Sequence, residues 1–227
     1  MNIKILTLFP QFFESVFSSS ILKRAVGNKI VNIDIINIRD FAKSKHKTVD
    51  DKPYGGGQGM ILKVDVIASA LDSIKPKPHS LLTSASGKKY DQAIAIKLAH
   101  KNNLAIVCGH YEGVDTRIEN FVDDVFSTGD FILTGGEIPA LVVVDSIIRL
   151  LPGVISNESL KSESFTPFSN LLEYPQFTRP KIFRGKSVPK ILLSGNHQKI
   201  VKWRQDESIK RTQKFRPDLI VNSKRGK

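Results

Sequence analysis

Four acids stand among glycines in one short stretch of the chain: Glu112 in CGHYEG, Asp115 just after it, Asp130 in STGDFILTGGE, and Glu137 at the end of that segment. Glycines let a backbone approach a ligand closely, and carboxylates beside them suit a cationic or hydroxyl-bearing ligand better than a pyrophosphate. The pattern points away from a dinucleotide. TGGEIP also has the form of a helix start, with Pro139 in the first turn and Glu137 near the positive helix end, so capping alone could account for Glu137. A second glycine run, Gly55, Gly56, Gly57 and Gly59 in PYGGGQGM, fits neither G-x-G-x-x-G nor G-x-x-x-x-G-K-[ST], which disfavours a nucleoside triphosphatase. It closes a segment, residues 39–60, that carries five bases and His46. Those residue types suit a phosphate-contacting loop, or equally a flexible surface loop. His46, His79, His100, His110 and His197 show no pairing at metal-ligand spacing, and with Cys108 as the one cysteine no zinc site is expected. No G-x-S-x-G elbow announces a serine hydrolase.

The elements that must hold these residues alternate. Ile3 to Phe9 predicts a strand, and the apolar spacing from Phe12 to Ala25 a helix closed by Gly27. Val31, Ile33 and Ile35 predict a second strand, Val64 to Ile74 a helix, Leu81 to Thr83 a strand and Asp91 to His100 a helix. Leu104 to Cys108 is a continuous apolar strand, followed by strands at Val125 to Ser127 and Phe131 to Leu133 and a helix from about Glu137 to Leu150. This order implies an α/β domain with a mainly parallel sheet. In such a sheet ligands sit beyond the carboxyl ends of the strands, where CGHYEG and STGDFILTGGE fall. Pro152 to Pro180 has no clear period and reads as a linker or mobile loop. Beyond it, Ser194 or Asn196 could cap a helix running through Trp203 to about Arg211.

Composition sets the outer bounds. The 227 residues are 41% hydrophobic and 25% charged, which excludes wholesale disorder and collagen. The longest apolar stretch is broken by Asp145 and Arg149, so no membrane span is expected. The N-terminus lacks a signal-peptide pattern, and one cysteine fits a reducing cytosol. The net charge of +12 is unevenly spread: residues 181–227 carry fourteen bases against three acids, residues 105–145 one base against eight acids. A basic end that also carries Trp203 and Phe215 reads as a polyanion-binding module beside a pocket of different chemistry.

Six ordered blocks, RDFAKSKHKTVDDKPYGGGQGM, CGHYEGVDTR, TGDFILTGGEIPA, IIRLLPGV, LLEYPQFTRP and VPKILLSGNHQKIVKWR, together resemble the bacterial tRNA (guanine-N1)-methyltransferase family, enzymes of the SPOUT class acting at tRNA position 37. The resemblance implies an α/β domain whose mainly parallel sheet carries a deep trefoil knot, plus a small helical C-terminal domain. The boundaries it suggests are 1–155 for the knotted methyltransferase domain, 156–174 for a linker and 175–227 for a basic tRNA-binding domain. It implies S-adenosyl-L-methionine held by backbone from Gly109 and from Thr128, Gly129, Asp130, Phe131, Ile132 and Leu133. Ser84, Ala85, Tyr111, Glu112, Gly135, Gly136 and Pro139 would surround it; Ala85 stands where the family tends to have proline, and His110 where it often has arginine. The same resemblance implies a cytoplasmic homodimer with a shared active site and tRNA as partner, while a magnesium requirement has no ligand cluster to point to. N1 of guanine carries a proton at neutral pH, so transfer needs a base there and a donor for charge developing on O6. By resemblance Arg149, before the P-G-V turn, is that donor. Glu163 in ESLKSESF stands where the family usually has Asp and becomes the expected base, with Glu158 as fallback. A non-catalytic RNA-binding protein of the same fold is the alternative, resting on that substitution.

Overall fold

The computed structural model describes residues 1–166 and 169–223. Residues 167–168 of the expected linker and 224–227 of the basic tail lie outside them. The chain divides into two compact units, Met1–Ile155 and Ser156–Lys227.

The first unit runs β1 (Asn2–Thr7), α1 (Glu14–Phe17), α2 (Ser20–Gly27), β2 (Asn32–Asn37), β3 (Asp50–Asp51), β4 (Ile61–Leu62), α3 (Val64–Asp72), β5 (His79–Lys89), α4 (Gln92–Ala99), β6 (Asn103–Cys108), β7 (Asp124–Ser127) and α5 (Glu137–Ile148). Five strands form one parallel sheet in the order β2-β1-β6-β5-β7. Side chains alternate across a strand, so β6 sends Leu104, Ile106 and Cys108 into one core and Ala105 and Val107 into the other, all fully buried. That two-sided burial is why the run is continuously apolar instead of alternating. Residues of α2, α4 and α5 pack the first core, and α3 with 3-10 turns at Ile38–Phe41 and Thr116–Phe121 packs the second. Each fully buried leucine or isoleucine contributes about 1.5–3 kcal/mol.

Several expectations need correction. The helix expected across Phe12 to Ala25 is broken: a 3-10 turn at Pro10–Phe13 leads into α1, and Ser18 and Ser19 separate α1 from α2. Both serine hydroxyls bond back to the Ser15 carbonyl, competing with helical pairing at that point. β5 is far longer than Leu81 to Thr83, continuing past a register shift between Thr83 and Lys88 where it rejoins β7. Phe131 to Leu133 is not a strand. Phe131 and Ile132 are 56% and 85% exposed, so this apolar run has no sheet partner and no core beneath it.

The second unit contains α6 (Asn157–Ser162), a two-stranded hairpin of β8 (Ile182–Phe183) and β9 (Lys186–Ser187), α7 (His197–Phe215) and α8 (Pro217–Ser223). α6 interrupts the stretch read as aperiodic, with Ser156 capping it through the Ser159 amide. Asn196 supplies the cap of α7, accepting from the Lys199 amide at 3.0 Å, and the helix continues past Arg211 to Phe215. Thr212 is fully buried on α7. Its hydroxyl accepts from the Leu172 amide at 2.9 Å while Ser208 donates to the Leu172 carbonyl at 2.6 Å, stitching the irregular segment to the helix. Among the described residues no helix is long and apolar enough to cross a membrane.

Candidate active site

Beyond the carboxyl ends of β6 and β7, against the irregular middle of β5, lies a cleft of about 230 Å³, the position expected for a ligand of a parallel α/β sheet. Three loops make it. Gly109 follows β6 directly, and its carbonyl accepts from the Gly136 amide at 2.7 Å, while His110 and Gly135 form an isolated bridge. The loop after β6 and the start of α5 are thereby knit together. Gly136 must be glycine: an added Cβ would lie 2.6 Å from the Gly109 amide nitrogen and 2.8 Å from Cys108 Cα. The third wall is the irregular part of β5, which presents Ser84 and Ala85.

Of the residues expected around a cofactor, Ser84, Ala85, Gly109, Tyr111, Glu112, Thr128, Gly129, Phe131, Ile132, Leu133, Gly135, Gly136 and Pro139 all line this cleft. Asp130 does not; it is exposed beside it. The cleft also takes in Thr83, His110, Gly113, Val114, Phe126, Ser127 and Thr134, which sequence reasoning did not assign. They are chain neighbours of the segments that it did pick, so the signal was the segment and not the residue type. Asp115 instead caps the 3-10 turn after the cleft and pairs with Arg117 at 2.6 Å. That hydrogen-bonded pair holds the Asp115 carboxyl below its ordinary range.

Glu112 is positioned by the loop leading to β4. Its amide donates to the Met60 carbonyl at 3.1 Å, and Gly59 leaves room for its side chain. Tyr111 holds a φ of +60°, in the left-handed region, and this exposed residue lines the cleft. Glu137 takes a structural part: it is 5% exposed, opens α5 at the positive helix end, and accepts from Thr7 Oγ1 at 2.8 Å. Burial, with Glu137 nearby, pushes the Cys108 thiol well above its ordinary range.

The charge of the lining decides what fits. In a chain of net charge +12, no Lys or Arg lines this cleft, and Glu112 is its only carboxylate among the described residues. Nothing there would neutralise a phosphate. Backbone groups, an apolar wall and one acid suit a nucleoside carrying positive charge. No group of three or more His, Cys, Asp or Glu able to hold a metal ion occurs among the described residues.

Arg149 of the expected catalytic pair is not among the lining residues of this cleft. Arg149 caps the C-terminal end of α5, half-buried, where a cation is favoured by the helix dipole. Arg149 and Gly136 cap opposite ends of α5, 13 residues apart, so at 1.5 Å per residue Arg149 is about 20 Å along the axis from Gly136. Glu163 belongs to the second unit, half-buried, as the residue that ends α6, and Glu158 lies in the first turn of that helix.

The sequence model of the family described as tRNA (Guanine-1)-methyltransferase TrmD matches residues 1–222. A tRNA (guanine-N(1)-)-methyltransferase of Alkaliphilus oremlandii is 48% identical over 231 residues, covering 97% of this chain and 92% of the relative. Relatives of the same name are 50% identical in Mesomycoplasma hyopneumoniae strain 7448, covering 96% and 95%, and 51% identical in Citrifermentans bemidjiense, covering 97% and 90%. Agreement at that level along nearly the whole chain means that it belongs to the tRNA (guanine-1)-methyltransferase family and is a methyltransferase enzyme.

Proposed function

We propose that the enzyme transfers a methyl group from S-adenosyl-L-methionine to N1 of the guanosine at position 37 of tRNA, acting as a cytoplasmic homodimer. The observation that carries this reading is a cleft with no Lys or Arg among its described lining residues, in a strongly basic chain. When bound there, S-adenosyl-L-methionine supplies an electrophilic methyl group on a sulfonium centre. Backbone at Gly109, at Thr128 to Leu133 and at Gly135 and Gly136 would hold the nucleoside. Phe131, Ile132 and Leu133 exclude water beside it, and the Glu112 carboxylate favours the positive charge. The knot of the SPOUT class belongs to the same reading, supported by the close seating of Gly136 on the end of β6.

Glu163 acts as the general base. Its carboxylate takes the N1 proton as the nitrogen attacks, and the Arg149 guanidinium donates to O6, where charge builds as that proton leaves. The position of Arg149 supports a shared site. With α5 between it and the cleft of its own chain, the arginine serves a cleft only when a second copy is docked. Ile138, Val142, Asp145 and Arg149 fall at helical spacing on one stripe of α5, and Ile138 and Val142 are each 46% exposed. A two-fold axis across that apolar stripe would run two α5 helices antiparallel, bringing each Arg149 toward the partner's cleft.

The test is methyl transfer from labelled S-adenosyl-L-methionine to two tRNA transcripts, one with guanosine and one with adenosine at position 37. Incorporation into the first alone is the expected result. Equal incorporation into both would overturn the site assignment, and none into either, with tRNA still bound, would leave an RNA-binding protein.

A further inference from the structure

The second unit has a cavity of its own, and its chemistry is the reverse of the first. A half-open cavity of about 650 Å³ lies between the segment following Leu172 and α7. Tyr174, Phe177 and Trp203 supply an aromatic wall, and Arg179, Lys181 and Arg204 supply positive charge, with no Asp or Glu among the lining residues. The rings are not stacked on one another: Phe177 and Trp203 meet at 51° with centroids 6.4 Å apart. Phe177 is 46% exposed, so part of its ring is accessible from outside. The Arg204 guanidinium lies 4.8 Å from the Tyr174 ring centroid. No carboxylate pairs with it among the described residues, and its Nε is buried without any hydrogen-bond partner. Native proteins seldom leave such a donor orphaned.

Aromatic faces interleaved with unpaired cations are what binds single-stranded nucleic acid: bases stack on the rings and phosphates meet the bases' flanking charges. The surrounding sequence agrees, since residues 181–227 carry fourteen Lys and Arg against three acids. A purely structural aromatic cluster would need neither three cations without a carboxylate partner among the described residues nor an open volume of ligand size. We infer that the Tyr174, Phe177 and Trp203 cavity is a second, non-reacting base site, which takes one unstacked base of the substrate RNA against its aromatic wall while Arg179, Lys181 and Arg204 neutralise neighbouring phosphates. This rests on the reading of tRNA as substrate and adds a subsite to it.

Trp203 is the only tryptophan in the chain, so its emission reports on this cavity without any substitution. With the full-length protein and the guanosine-37 transcript, bound tRNA is expected to quench Trp203 emission and to shield it from acrylamide. Base stacking lost by Trp203→Ala is expected to weaken tRNA binding about 5- to 150-fold at every salt concentration. The slope of log Kd against log salt stays unchanged, whereas Arg179→Gln lowers that slope by about one. Trp203→Phe keeps a stacking face and loses much less. Unaltered acrylamide access to Trp203 in a complex that binds and is methylated would overturn the base site alone. So would an unchanged Kd for Trp203→Ala. Failure of the wild-type protein to bind the transcript would instead overturn the substrate reading on which the site rests.

Discussion

Replacing Gly136 by alanine puts a methyl group where the end of β6 meets the start of α5. The added Cβ would fall 2.6 Å from the Gly109 amide nitrogen and 2.8 Å from Cys108 Cα. Both are backbone atoms of a buried strand end, and neither can swing aside as a side chain could. Overpacking of this kind costs about 1–3 kcal/mol. Any separation that relieves it also stretches the 2.7 Å bond from Gly136 to Gly109, worth a further ~0.5–1.5 kcal/mol net. The sum is about 2–4 kcal/mol, which for a unit of this size lowers Tm by roughly 5–15 °C. The same displacement opens the cleft, so cofactor affinity should fall with it. Calorimetric melting, with S-adenosyl-L-methionine titrated in parallel, measures both. Gly27→Ala is the control: nothing lies within 4 Å of its added Cβ at the end of α2. That change should stabilise by about 0.4–1 kcal/mol through the unfolded chain. A Gly136→Ala protein that melts within 2 °C of wild type and binds cofactor equally well would refute the packing argument.

Three further outcomes follow from particular residues. If the active site is shared, Leu133→Arg, which puts a cation in the cleft, and Arg149→Ala should each be inactive alone; random exchange of subunits should restore roughly a quarter of wild-type activity, and no recovery would place Arg149 outside a shared site. The Asp123 carboxylate accepts from the amide and hydroxyl of Ser80 at 2.7 and 2.8 Å; burial opposes these bonds and His79 and Lys77 assist them, leaving its carboxyl below the ordinary value of 3.8. Because the folded value is the lower one, the stability that it lends is present above that pH and is lost as the pH falls through the folded value, so Asp123→Asn should flatten the acid limb of a urea-midpoint profile below about pH 4. Cys108 is fully buried and its thiol is held well above its ordinary range, so labelling by a thiol-specific disulfide reagent should proceed only at the rate of unfolding and rise with urea.

How far the sequence could be read depended on what each element buries. Leu104 to Cys108 was plain because a strand buried on both faces needs an unbroken apolar run, and the glycines after it were plain because backbone has to approach backbone there. Phe131 to Leu133 misled for the same reason: three apolar residues between glycines look like a strand, yet they form an exposed wall of the cleft. Their hydrophobicity serves a surface and not the sheet. The break between α1 and α2 was hidden because the apolar spacing continues through it while serine hydroxyls end the pairing. Thr83 and Phe126 entered the cleft through the irregular pairing of β5 and β7, a tertiary feature with no periodicity of its own. The distance between Arg149 and the cleft, which follows from simple helix geometry, could have been read from the sequence once α5 was recognised.

The most direct test of the chemistry is a single-turnover reaction of enzyme in excess over guanosine-37 tRNA, with the product nucleoside identified by mass spectrometry, for wild type and Glu163→Gln. The wild-type reaction should yield N1-methylguanosine at position 37. Glu163→Gln should bind the same tRNA but transfer about 10²- to 10⁴-fold more slowly, the range for a lost general base. A Glu163→Gln rate equal to wild type would remove Glu163 from the mechanism, and a wild-type product methylated at any other atom would contradict the account as a whole.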